Sequence, residues 1–292
     1  MVAGLSCGRD RAVVREAPLT EALIALLASI FAGGFGSLVG IGGGLIIVPV
    51  MSVLLGHDVN VAIAASLIGV IATSLAASPR YIRSGLADRR LALPLLVAAA
   101  LGGLTGGLTT GLLDGRALSL LFGLLLTGVA IQMVREVLRH RTPREPDALE
   151  AASFTSSYVE PTTGAVIGYR VRRLRSGVAA SFVAGNVSGL LGVGGGLINV
   201  PTMNVLMGMP IRVATTTSTY MLAATGAASA VVQAVSGRLD PLLAAPVALG
   251  VIVGAWVGAR LSMRTSQDIL RLVFVGVAAI FAVSMFLKSL WT

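Results

Sequence analysis

A run of seventeen residues occurs twice in this chain at a spacing of 152, and that duplication limits the architecture more than any other feature. Residues 40–56 read GIGGGLIIVPVMSVLLG and residues 192–208 read GVGGGLINVPTMNVLMG, identical at twelve positions. The same spacing, with no gap, pairs Gly33 with Gly185, Ser66 with Ser218, Asp88 with Asp240, Pro94 with Pro246, Gly102 with Gly254, Gly106 with Gly258 and Phe122 with Phe274. Chance composition does not hold such a register, so the chain is read as two copies of one unit.

Each copy is built from apolar segments: 19–39, 43–56, 61–79, 91–113 and 117–138, then 178–191, 195–208, 213–235, 241–259 and 267–288. Hydrophobic residues make up 55% of the chain and charged residues 12%, about half the charged share of a soluble domain. A crossing needs about 20 apolar residues, so the expected fold is all-α: a polytopic membrane protein of two homologous repeats. The expected organisation is an N-terminal extension over 1–18, a first membrane repeat over 19–138, a polar cytoplasmic linker over 139–176 and a second membrane repeat over 177–292. The 36 glycines and 5% aromatic residues suit close helix packing in lipid.

The second segment of each set is short. Fourteen helical residues rise about 21 Å against a hydrocarbon core of about 30 Å, so it is a half-helix, a re-entrant segment or a short span continued by its neighbours. Five crossings per half give inverted repeats and four give parallel ones. The loop at 80–90 holds Arg80, Arg83, Arg89 and Arg90 while 114–116 is neutral; in the second half the matching loops hold Arg238 with Asp240, then Arg260 with Arg264. The bias changes sides between the halves, as inverted repeats require under the positive-inside rule. Arg9, Arg11 and Arg15 favour the opposite order. No cleaved signal peptide is expected in 1–18, and the first apolar segment should direct insertion. The linker reads as a solvated connector held inside by its arginines, with a small hairpin around Pro161-Thr162-Thr163-Gly164 as the alternative. The net charge of +9 lies mostly in such loops, which makes it a topology signal rather than a nucleic-acid patch. Cys7 is the sole cysteine, so no intrachain disulfide or cysteine metal cluster can form.

Irregular, glycine-rich chain at membrane depth is tolerated only against protein or a watery cavity. Gly42, Gly43 and Gly44, and Gly194, Gly195 and Gly196, open the two short segments, and Pro49 and Pro201 interrupt them as hinges. Matched breaks in two halves point to a transport site near the midplane, and a broken helix offers N–H groups and a positive dipole end to an anion. The alternative is that the glycines only let helices pack closely. Neither run leads into Lys-Ser or Lys-Thr, so a nucleotide-binding P-loop is not implied. Polar residues in the apolar segments gather in the second half: Asn186, Ser188, Asn199, Asn204 and 215–220 (Thr-Thr-Thr-Ser-Thr-Tyr), with Ser66 retained in the first. Hydroxyls and amides coordinate an oxyanion without burying a full charge, although a single Ser or Thr more often bonds its own helix. No Asp, Glu or Lys falls mid-segment, and no nucleophile with its base or metal pair is visible. No enzyme, cofactor or metal is therefore expected. Export fits that absence, since an interior-negative potential drives each negative charge outward by about 2.3 kcal/mol per 100 mV.

GIGGGLIIVP at 40–49, GLLGVGGGLINVP at 189–201 and the Ala-Thr-Thr-Thr-Ser run ending at Ser218 together make the sequence resemble the sulfite exporter TauE/SafE family, over essentially the whole chain. The resemblance implies a transporter in the cytoplasmic membrane of a prokaryote, handling sulfite, sulfonates or related sulfur-containing anions. Where the family pattern favours threonine before serine, the first half reads Ala64-Ala65-Ser66, so the two halves need not contribute equally. The expected substrate site joins the two glycine runs to Ser66, Asn199, Thr216, Thr217 and Ser218, with alternating access by rocking of the halves. The alternatives are H⁺- or Na⁺-coupled uptake, and a non-transporting membrane enzyme or subunit. Expected partners are a small anion and membrane lipids, with a homodimer left open and nucleic acid not among them.

Overall fold

The computed structural model describes residues 19–138, 154–159, 165–261, 276 and 279–288. The expectations for the N-terminal extension, residues 139–153, the Pro-Thr-Thr-Gly turn and much of segment 267–288 lie outside them. Within the described residues the chain runs α1 (Leu19–Val39), α2 (Gly44–Pro49), a π turn (Val50–Leu54), α3 (Val59–Arg83), α4 (Arg89–Thr110), α5 (Gly115–Leu138), β1 (Phe154–Val159), β2 (Val166–Val171), α6 (Leu174–Leu191), α7 (Gly196–Pro201), a second π turn (Thr202–Leu206), α8 (Ile211–Val235), α9 (Pro241–Leu261) and α10 (Ala279–Lys288). It is a helical membrane protein. Four helices, α1, α3, α4 and α9, are long and apolar enough to cross a bilayer by length and composition.

Local chemistry sets the boundaries. The Asp58 and Asp88 carboxylates cap α3 and α4, accepting from the Asn60 and Leu91 N–H groups, and Asp240 accepts from the Leu242 N–H at the start of α9. These are aspartates placed at segment ends by the sequence, and capping accounts for them. Pro49 and Pro201 lack the N–H that an α-helix would use, and each is followed directly by a wider π turn, the local adjustment expected at such a break. In each case the short α-helix and its π turn form one segment that returns from a glycine loop.

Helix pairing crosses between the two halves of the sequence. A side chain at Gly254 or Gly258 on α9 would run into the backbone of Ile30 or Gly34 on α1. At the matching positions, Gly102 and Gly106 on α4 lie against Phe182 and Asn186 on α6. So α9 packs with α1 and α3 from the first half of the sequence, and α4 packs with α6 and α8 from the second, while α3 and α8 join the two groups. Helices approach this closely only where small residues face each other.

Several contacts identify which helix ends lie together. Glu21, at the start of α1, is 4.0 Å from His57 beyond the first π turn. Lys288, at the end of α10, donates to the carbonyls of Ser52 and His57. At another level of the molecule the Leu86–Asp88 corner, the start of α8, β2 and the end of the second π turn meet.

In the linker, β1 and β2 pair antiparallel from Phe154 opposite Val171 to Val159 opposite Val166. The hairpin forms where a solvated connector was the leading expectation, and the reason is burial. Tyr158, Tyr169 and Val171 enter a core with Leu86, Leu91, Met203, Met207 and Met209, and the Arg172 N–H donates to the Met207 carbonyl.

Candidate functional site

The two glycine runs meet. Gly44 lies so close to Gly192 that a Cβ there would strike its carbonyl oxygen, and Gly196 stands in the same relation to Gly40. Both loops depend on left-handed backbone: φ is 80°, 88° and 73° at Gly40, Gly42 and Gly43, and 71°, 87° and 74° at Gly192, Gly194 and Gly195. Only glycine takes such angles without strain, so the glycines are fixed both by conformation and by contact.

A reciprocal pair of hydrogen bonds ties the crossing. The Ser66 hydroxyl on α3 donates to the Gly192 carbonyl at 2.8 Å, and the Ser218 hydroxyl on α8 donates to the Gly40 carbonyl at 3.1 Å. Donors and acceptors are each related by the 152-residue spacing. Val70 and Leu222, again 152 apart, both reach Gly42 and Gly194 and form an apolar wedge between the loops. The Thr73 hydroxyl adds a bond to the Gly42 carbonyl at 3.3 Å. Where the loops turn into α2 and α7, the first turns present N–H groups without intrahelical acceptors.

The remaining candidates divide. Asn199 on α7 is buried and its Oδ1 has no partner; Ser188 on α6 is buried beside Gly195 with an unpartnered hydroxyl. The residues 152 earlier are Ile47 and Gly36, so this polarity belongs to the second half of the sequence alone. Thr216 and Thr217 face elsewhere. The Thr216 hydroxyl donates to the Leu86 carbonyl at 2.8 Å and back to Arg212, and the Thr217 hydroxyl accepts from the Asp88 N–H at 3.0 Å. These two bind the corner before α4 rather than the glycine crossing. Asp88 in turn accepts from the Tyr169 hydroxyl at 2.8 Å. Burial of that phenol, with the Asp88 carboxylate beside it, pushes its pKa up and keeps it a donor. Pro49 and Pro201 sit at the α-to-π junctions, away from the loop-to-loop contact.

Sequence reasoning left Gly40, Gly192, Val70 and Leu222 out of the site, and noted Ser188 as a polar residue without placing it there. Those four glycine, valine and leucine positions were accessible from the spacing of 152, since each pair is related by it. The buried polar side chains among the described residues are Ser, Thr, Asn, Gln and Tyr, all of them neutral, and no three His, Cys, Asp or Glu side chains gather there.

Broken helices meeting inside a helical membrane protein, with neutral polar groups around them, define the class of membrane transporters with discontinuous helices. The family model for sulfite exporter TauE/SafE matches residues 25–285, and the chain belongs to that family. It is similar to a probable membrane transporter protein, YunE, of Bacillus subtilis (strain 168), with 28% identity over 252 residues, 84% of this chain and 88% of the relative. It is also similar to probable membrane transporter proteins of Xylella fastidiosa, at 26% identity in strain 9a5c and 25% in strain Temecula1, each over 85% of this chain and 88% of the relative. No solved structure matches. The protein is a membrane transporter.

Proposed function

We propose that the chain exports sulfite, a sulfonate or a related small sulfur-containing anion by alternating access. The observation that carries the reading is the crossing of the two glycine loops, held by the Ser66 and Ser218 bonds, from which two helix starts emerge among neutral polar groups. An oxyanion would be held by backbone N–H groups of the Gly42–Gly44 and Gly194–Gly196 runs and by side chains close to them, with Asn199 and Ser188 as the polar contribution of the second copy. Ser66 and Ser218 would then serve both the crossing and the anion. Thr216 and Thr217 would act one step away, by fixing the corner at Asp88.

The repeat units are read as 19–138 and 177–292, joined by the linker 139–176, and inverted. Two supports apply. The return of the first short segment beside Glu21 makes α1 and α2 the two legs of one hairpin; α3, α4 and α5 then carry the chain to the other face, and the second copy starts there. That face collects Arg80, Arg83, Arg89, Arg90, Arg170, Arg172, Arg173, Arg175, Arg212 and Arg260, whereas Glu21, Asp58, Asp114 and Asp240 share the other with Arg116, Arg238 and Lys288. Positive charge stays inside, so the arginine face is cytoplasmic in a prokaryotic inner membrane. The moving bodies are then not the sequence halves but the exchanged groups, α1–α3 with α9 and α6–α8 with α4.

Flux of sulfite and of a short sulfonate is measured in proteoliposomes with a potential imposed in either sense and no pH gradient. Movement that follows the potential is the expected result. Movement only after a proton or sodium gradient is added would replace export with coupled uptake, and no movement under any gradient would leave a non-transporting role. Gly43→Leu and Gly195→Leu should abolish flux at normal expression; retained flux in both would remove the glycine runs from the site.

A further inference from the structure

The duplication supplies an internal control for every residue, and one corner departs from its counterpart in a chemically pointed way. On α3, Tyr81 is fully buried and its hydroxyl donates to the Ser37 carbonyl at 2.8 Å, with Leu86 buried just beyond. The residues 152 further on are Gln233 and Arg238. Gln233 is fully buried, its Oε1 accepts from the Arg238 Nη1 at 2.9 Å, and its Nε2 has no partner. The Arg238 guanidinium lies against the backbone of Gly111, at the end of α4, so closely that a side chain at 111 would run into it. Its described partner is a neutral amide. Asp240, the carboxylate nearest in sequence, is turned to the Leu242 N–H as a cap. Among the described residues, the half-buried guanidinium and the unpartnered amide N–H beside it face no carboxylate, and the Gln233 Oε1 takes up only one of the Arg238 donors.

That array stands at the end of a polar line. Ser218, Thr225, Ser229 and Gln233 recur along α8 at helical spacing and all are buried, leading from the glycine crossing past the Leu222 wedge to Arg238. The first copy carries Ser66, Thr73, Ala77 and Tyr81 on the equivalent line. The polar line therefore leads away from the arginine-rich face.

We propose that Arg238 and Gln233 form a second oxyanion site, at the face opposite the arginine-rich one, where a small tetrahedral or pyramidal oxyanion is held between the glycine crossing and the exterior. Arg238 supplies charge and planar N–H donors suited to two oxygens of one anion, and Gln233 supplies the remaining N–H. The site rests on the transport reading for its role, but its capacity to bind an anion does not.

The test uses the full chain in two settings. In right-side-out and inside-out vesicles, labelled sulfite exchange gives a half-saturating concentration for each face. Arg238→Gln and Gln233→Met should raise it about tenfold or more at the exterior face, the effect of losing one hydrogen bond to a charged group, and less than about twofold at the cytoplasmic face; Arg238→Lys should recover part of the loss. Equal changes at both faces, or none at either, would overturn the proposal. If the unsubstituted protein moves no sulfite, the transport reading fails separately, and binding decides: sulfite or sulfate should raise the thermal midpoint of the purified protein, and Arg238→Gln should remove that rise. An unaltered rise in Arg238→Gln, or none in the unsubstituted protein, would overturn the site itself.

Discussion

Replacing Gly44 with alanine isolates the contact between the loops from the conformation of the backbone. Unlike Gly42 and Gly43, Gly44 does not have a positive φ, so alanine is conformationally acceptable there and any loss comes from packing. The added methyl would overlap the Gly192 carbonyl oxygen and stand 3.1 Å from both the Gly192 carbonyl carbon and the Val193 Cα, where unstrained carbon contacts lie at about 3.5–4.0 Å. Backbone on both sides leaves no side chain to swing away. Overpacking of this kind costs about 1–3 kcal/mol, and pushing Gly192 back strips the Ser66 bond, worth about 1 kcal/mol more, for a total of roughly 2–4 kcal/mol. Gly196→Ala presses the same crossing from the other loop through Gly40 and Ile41, and should cost a similar amount. Once one methyl has parted the loops the second meets less resistance, so the double variant should lose less than the sum of the singles by more than about 0.5 kcal/mol. Gly115→Ala, with nothing within 4 Å of the added carbon, is the control and should fall within about 0.5 kcal/mol of the parent. Unfolding free energies from denaturant titration of the purified protein in mixed micelles provide the measurement. Two single losses below about 0.5 kcal/mol, or strict additivity in the double variant, would refute a contact between these loops.

Ser66→Ala and Ser218→Ala each leave a buried carbonyl without its donor, and each should cost about 1–3 kcal/mol by the same titration, with near-equal values because the bonds are counterparts. Thr217→Val removes the acceptor of the Asp88 N–H and should loosen the corner before α4, seen as faster amide exchange at Asp88 with little change at Gly192. The raised pKa of Tyr169 means that the folded state holds the phenolic proton more tightly than the unfolded chain; its contribution is present in full below the ordinary tyrosine pKa and disappears as pH rises through the higher folded value. Alkaline titration should therefore release the hairpin from Asp88 in the parent, while Tyr169→Phe, docked without that hydroxyl, should lack the transition; limited proteolysis of the linker reads both. With Cys7 replaced, single cysteines at Gly85 and Gly237 should react with impermeant thiol reagents from opposite faces, and reaction from the same face would remove the inverted order.

The spacing of 152 made the paired glycine loops and the helix breaks at Pro49 and Pro201 legible before any coordinates, and the capping aspartates lay where segment ends were expected. Other features depend on information that a linear pattern does not hold. Gly102 and Gly106 mark α4 as a close-packing helix, and Gly254 and Gly258 mark α9 in the same way, yet either helix has a face that would suit α1 or α6; the choice of partner lies in three dimensions. The hydroxyl run at 215–219 looked like one ligand cluster. In the helix its members point in different directions: Thr216 and Thr217 bind the corner at Leu86 and Asp88, Ser218 binds Gly40, and Thr219 bonds back to Thr215. The linker hairpin was underrated because its charged residues are conspicuous, while the methionines that receive its tyrosines lie more than thirty residues further on.

The exchange of α4 and α9 bears on how the chain is made. During synthesis α4 is made before α6 and α8, the helices its glycine face packs against. Likewise α1 meets its close-packing partner only once α9 has been made. A chain cut short after the linker would keep the Gly102 and Gly106 face of α4, and the α1 backbone that α9 covers, without their packing partners.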